Sequence, residues 1–162
     1  MNIDLIDNKI LSIYKECKIQ TFPIDCELIL QHYGFVLYTY KELQNANKTL
    51  YNAAKSYSND AFRFRMSIYY NSCMPKNRIR FTLMHELGHF ILGHQSQEIE
   101  SEQEADYFAS CMLVPRIAIL RTGCTTADDI HDQFEVSYAA ANRILSDFRH
   151  KKDSGWGKSD QA

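Results

Sequence analysis

Two histidines four residues apart, with a glutamate after the first, stand out in "RFTLMHELGHFILGH", Arg80 to His94. HELGH matches the pattern H-E-x-x-H. On a helix, residues four apart lie one turn above each other on the same face. His85 and His89 can therefore aim ring nitrogens at one metal ion, at ~2.0–2.1 Å for zinc. Glu86 is rotated by about 100° from His85. It sits beside such an ion rather than on it, placed to take a proton from water that the metal activates. Gly88 removes a side chain about one turn from His85 and lets another segment approach.

A catalytic zinc site needs a third protein ligand and an open position. His94 does not fit the metzincin spacing HExxHxxGxxH, because its glycine and histidine each fall one residue off, as "HFILGH". With Gly93 ending the helix, His94 reads as a C-terminal histidine favoured by the helix dipole. "SEQEADYFASCMLVP" offers a better candidate. Glu102, Ala105, Asp106, Ala109, Met112 and Leu113 share one helical face. Its alanines allow close packing against the HELGH helix, with Glu102 at the open end, free to reach a metal. Asp106, one turn on, can accept the second ring N–H of a ligand histidine. Glu104 points away, and Ser101-x-x-Glu104 reads as a capping box. The plainer reading of Glu102 is a carboxylate stabilised by the dipole in a first helical turn.

The elements that must hold these residues follow from periodicity and breakers. Ile3, Ile6, Ile10 and Ile13 predict an amphipathic helix over ~3–18. Pro23 and Asp25 open a short helix to about Tyr33, stopped by Gly34. "FVLYTY", Phe35 to Tyr40, reads as a strand, and ~41–60, polar and Asn-rich, as a short helix and a loop. "FRFRMSIYYN", Phe62 to Asn71, reads as a strand or hairpin arm, with Phe62, Phe64, Met66 and Ile68 alternating onto one face. Pro75 suits the first turn of the histidine helix. The next helix runs from about Ser101 to Val114, where Pro115 breaks it. Residues 116–151 are helical, and "DDIHDQFEVSYAAANRIL" within them reads as helix, turn, helix. Residues 1–151 are expected to form one domain and 152–162 a disordered tail.

Composition narrows the function classes. The chain has 162 residues, a net charge of −2 and 23% charged residues. That length suits one domain with a real core, and that charge gives no global pull toward nucleic acid or anionic membrane. No apolar run is long enough to span a bilayer. The N-terminus lacks the apolar core of a signal peptide. Five cysteines, scattered and without a CxxC pair, read as free thiols of a reducing cytoplasm.

Together, "IYYN…PKNRIRFTLMHELGHFILGH…ESEQEADYFASCMLVP" and "FEVSYAAANRIL" resemble the ImmA/IrrE metallopeptidases, over Ile68 to about Leu145. The resemblance implies His85, His89 and Glu102 as ligands of one zinc ion and Glu86 as catalytic base. It puts the family's ExxxN or ExxxD position on Asp106, and its RFT motif on Arg80 and Phe81. It implies an α+β, minimal zincin-like fold, with a small three-stranded sheet packed on the active-site helix and a helical C-terminal part. It also implies a zinc-dependent endopeptidase cutting a helix-turn-helix repressor to relieve repression in a mobile element or stress response. Such chemistry needs an oxyanion stabiliser; Tyr69, Tyr70, Tyr107 and His131 are the candidates. The rival reading is a non-catalytic regulator that binds a repressor, or DNA through the C-terminal helical pair. The intact Glu86 argues against a non-catalytic role. The balanced charge of that pair argues against specific nucleic-acid binding.

Overall fold

In the computed structural model, which describes residues 1–95 and 98–153, helices surround a small sheet. The N-terminal helix α1 (Ile3–Glu16) is capped by Asn2, whose side chain accepts from the Leu5 N–H, and it buries Ile6, Ile10 and Ile13. Asp25 accepts from the N–H groups of Glu27 and Leu28 and so starts α2 (Cys26–His32). Strand β1 (Val36–Thr39) follows.

The polar stretch expected as one short helix and a loop forms two helices, α3 (Tyr40–Ala46) and α4 (Lys48–Tyr57). Asn47 is the reason. It ends α3, and its side chain accepts from the Leu50 N–H to begin α4. Thr39 and Glu42 close a capping box at the start of α3.

Strands β2 (Ala61–Phe64) and β3 (Ser67–Tyr70) form a hairpin, so the expected alternation from Phe62 to Ile68 does not hold. Arg65 turns the chain with φ 54°, a conformation that neither it nor Met66 advertises in the sequence. Phe64 and Met66 are exposed, while Ala61 and Ile68 are buried. The sheet order is β1-β3-β2, with β1 parallel and β2 antiparallel to β3.

One sheet face packs toward α5 (Lys76–Leu92), so that Ala61 and Ile68 share a core with Leu83, Met84 and Leu87. On the other face Phe62 and Tyr69 pack with Tyr40, Leu43 and Ala54 of α3 and α4. Against α5 lies α6 (Ile99–Leu113), which starts two residues before the expected Ser101. Their crossing is close because Gly88 faces Ala105 and Phe108, all fully or nearly buried. The helices α7 (Arg116–Thr122), α8 (Ala127–Phe134) and α9 (Tyr138–Asp153) complete the chain. Ile130, Phe134, Val136, Ala141 and Leu145 join the same core as α1, α5 and α6. Each of the larger of these side chains contributes roughly 1.5–3 kcal/mol. The helix-turn-helix-like pair therefore packs its inner face onto the core.

Arg80, nearly buried on α5, donates from Nη1 to the Ile24 carbonyl at 2.8 Å and from Nη2 to the Phe134 carbonyl at 3.5 Å. It ties the segment before α2 to the end of α8. The fold is α+β, with the three-stranded sheet and helical C-terminal part that the resemblance implies. Among the described residues no helix is long and apolar enough to cross a membrane. Helix α9 runs into the expected tail as far as Asp153, and the rest of that tail lies outside the described residues.

Candidate metal centre and cleft

Helix α5 presents His85 and His89 one turn apart, and α6 brings Glu102 opposite them. The two Nε2 atoms are 2.9 Å apart. Glu102 Oε2 lies 3.4 Å from His85 Nε2, and Glu102 Oε1 lies 3.4 Å from His89 Nε2. Ligand atoms bonded tetrahedrally to one zinc at ~2.0–2.1 Å are ~3.3 Å apart, close to the spacing at which each Glu102 oxygen faces its histidine, and one ligand atom from each of the three residues lies within 4.8 Å of the others. Glu102 Oε1 is buried and has no hydrogen-bond partner. A buried carboxylate oxygen left so is costly unless a cation compensates it. Among the described residues His85, His89 and Glu102 are the group that could hold a metal ion, and the donor set suits zinc.

The far side of each imidazole is also occupied. His85 Nδ1 lies 2.9 Å from Asp106 Oδ1, as the spacing anticipates. His89 Nδ1 lies 3.0 Å from His94 Nδ1, and His94 Nε2 lies 3.0 Å from Glu104 Oε2. His94 thus meets the side of His89 that faces away from the triangle. Glu104 is no capping residue: Ser101 is already inside α6, whose N-cap is Glu98, and the Glu98 side chain makes no capping hydrogen bond. The Glu104 carboxylate reaches His94 instead.

These contacts set the protonation of the metal-free site. Burial works against a charged His85, but the Asp106 carboxylate, with Glu86 and Glu102 nearby, outweighs it and raises the His85 pKa. Burial, with His85 and His94 alongside, lowers that of His89 to about 4. His89 is therefore neutral at physiological pH, as a ligand must be.

Glu86 sits beside the triangle with its side chain 16% exposed. Burial raises its pKa despite the opposing fields of His85 and Arg63. Arg63, on β2, places Nε 3.6 Å from Glu86 Oε2, an ion pair rather than a hydrogen bond. A cleft of about 430 Å³ opens here, lined by Tyr57, Phe81, His85, Glu86, Glu102 and Asp106 among others. Tyr57, at the end of α4, has its pKa raised by burial and then by Glu86 and Glu102.

None of the four expected oxyanion stabilisers lines this cleft. Tyr107 donates to Asp7 Oδ1 at 2.9 Å, and Tyr69 stacks on Tyr38. Tyr70 lines a separate cavity with Glu27 and Glu42. His131 donates from Nδ1 to the Val136 carbonyl at 2.6 Å and stacks on Tyr138. Sequence reasoning missed Arg63 and Tyr57. Treating "FRFRM" as a hairpin would have put Arg63 on the inward face with Ala61; nothing local marks Tyr57.

A family model, described as Peptidase_M78, IrrE N-terminal-like domain, matches residues 44–146. The curated proteins compared with this chain give no match. Among solved structures, a Mycobacterium tuberculosis transcriptional regulator aligns with a TM-score of 0.56 at 16% identity, over 88% of this chain and 47% of that one. That likeness is one of fold, and this chain spans about half the length of that protein. The matched segment contains all of the triangle, Glu86 and the cleft, and the chain belongs to the Peptidase_M78 family of IrrE N-terminal-like domains.

Proposed function

We propose that this chain is a zinc-dependent endopeptidase of the cytoplasm, with Glu86 as general base and His85, His89 and Glu102 as the residues that hold the ion. The observation that carries this reading is the ligand triangle with its uncompensated Glu102 Oε1, set beside a buried glutamate in one cleft. Bound there, zinc would polarise a scissile carbonyl and make water acidic near neutral pH. Glu86, with a pKa above the ordinary glutamate range, takes the proton from the attacking water and passes it to the leaving amine. The field of Arg63 opposes the effect of burial and favours the ionised carboxylate. Asp106 fixes His85 with its Nε2 lone pair toward the ion. Tyr57, the phenol of the cleft wall, donates to the oxyanion as it forms. Phe81 gives the cleft an apolar wall for a substrate side chain.

The substrate class follows from the resemblance to ImmA/IrrE peptidases: a helix-turn-helix repressor, cut in an accessible segment. The test is mass spectrometry of a repressor encoded beside the gene, incubated with zinc-loaded protein, chelated protein, and protein with zinc restored. One cut that vanishes on chelation and returns with zinc supports the reading. An intact repressor in all three samples refutes the substrate assignment. Cleavage that survives chelation refutes the metal mechanism.

A further inference from the structure

We propose that His94 and Glu104 are positioning residues for the metal, a two-member relay that orients His89 as Asp106 orients His85. This rests on the metal reading above. His89 turns Nε2 toward His85 and Glu102, which leaves Nδ1 facing His94 Nδ1 at 3.0 Å. Two imidazole nitrogens at that distance need one proton between them, and its side is fixed from the other end. An ionised carboxylate only accepts. Glu104 Oε2, 3.0 Å from His94 Nε2, therefore holds the His94 proton on Nε2. In neutral His94, Nδ1 is then a lone pair and accepts from His89 Nδ1–H. With its proton on Nδ1, His89 offers a lone pair at Nε2, where the ion would sit.

The backbone builds this relay. Gly93 ends α5 in the left-handed region at φ 75°. The chain folds back there, and the His94 N–H donates to the His89 carbonyl at 3.0 Å. The two rings then meet edge to face, with centroids 5.1 Å apart. His94 and His89 side chains are each 9% exposed, which shields the contact from competing water. Helix α6 thus supplies the third ligand and both anchors. Glu102 and Asp106 lie one turn apart on one face, whereas Glu104 lies half a turn away and reaches His89 only through an intervening ring.

Zinc affinity decides the matter, measured by chelator competition on metal-free wild type, His94→Leu, Glu104→Ala and His94→Asn. The Asn Oδ1 stands near where the His Nδ1 was and can accept from His89. His94→Leu and Glu104→Ala should bind zinc about 10–100-fold more weakly, and His94→Asn should recover most of the loss. Thermal unfolding of the metal-free variants verifies that each is folded. Wild-type affinity in His94→Leu, or no recovery in His94→Asn, would overturn the relay while leaving the metal reading intact. A wild type that binds no zinc would overturn both.

Discussion

Arg63 Nε lies 3.6 Å from Glu86 Oε2, joining an inward-facing residue of the edge strand β2 to the candidate base on α5. Removing the guanidinium removes a positive field, so the Glu86 pKa must rise further. Arg63→Met should lower kcat/KM about tenfold at neutral pH, equivalent to ~1.4 kcal/mol. The acid limb of the pH profile should move upward, with metal content unchanged. Loss of metal in place of that pH shift would make Arg63 a structural residue.

Glu102→Ala separates stability from metal binding. The metal-free variant loses a buried, uncompensated oxygen and should be at least as stable as metal-free wild type. Zinc at about a hundred times its dissociation constant adds ~2.7 kcal/mol to a protein that binds it. That corresponds to about 5–10 °C in Tm at this chain length. Calorimetry should show this rise for wild type and almost none for Glu102→Ala. An equal rise in both would remove Glu102 from the ligand set.

Gly88→Ala tests the helix crossing. A Cβ there would stand 3.0 Å from Phe108 Cδ1 and 3.3 Å from the Ala105 Cα. The backbone contact cannot rotate away. Overpacking of this kind costs about 1–3 kcal/mol, and the gain in helix propensity offsets about 1. Urea titration should show a net loss of up to about 2 kcal/mol. Zinc binding should weaken with it, because separating α5 from α6 draws Glu102 off the histidines. Full stability and full affinity together would mean that the helices are not in close contact.

The metal-free protein should also lose stability in acid through His89. Its pKa is held down to about 4 in the fold, against an ordinary value of 6.5. The unfolded chain therefore takes up this proton first. The stabilisation is fully present above pH 6.5 and is lost as pH falls toward 4. It amounts to roughly 3 kcal/mol. Between pH 6.5 and 4, denaturant titrations should show metal-free wild type losing that much more stability than His89→Gln. Parallel curves would show that His89 charges in the fold without penalty.

Much of the site is legible in the sequence because its parts are local. His85 and His89 need only helical spacing, and Glu102 and Asp106 need only a second helix with small residues between the two. Arg63 and Tyr57 were hidden because a hairpin and the end of α4 deliver them over long range. The turn at Arg65 and Met66 lacks the Gly or Asn signal that usually marks such hairpins. His94 was visible, but its partner was not. The fold-back at Gly93 can be read from sequence, whereas the approach of Glu104 depends on how α6 docks. The paired helices α3 and α4 went unseen because Asn47 both ends one and caps the next.

The most direct measurement compares zinc-loaded wild type with Glu86→Gln on a helix-turn-helix repressor, following intact mass over time and metal content in parallel. Neither the triangle nor the core uses the Glu86 carboxylate. Both proteins should therefore carry one zinc and unfold alike. Wild type should make a single cut, and the variant should be slower by about 10²–10⁴, the usual contribution of a positioned base. A Glu86→Gln variant that keeps its zinc and cuts at the wild-type rate would contradict the mechanism.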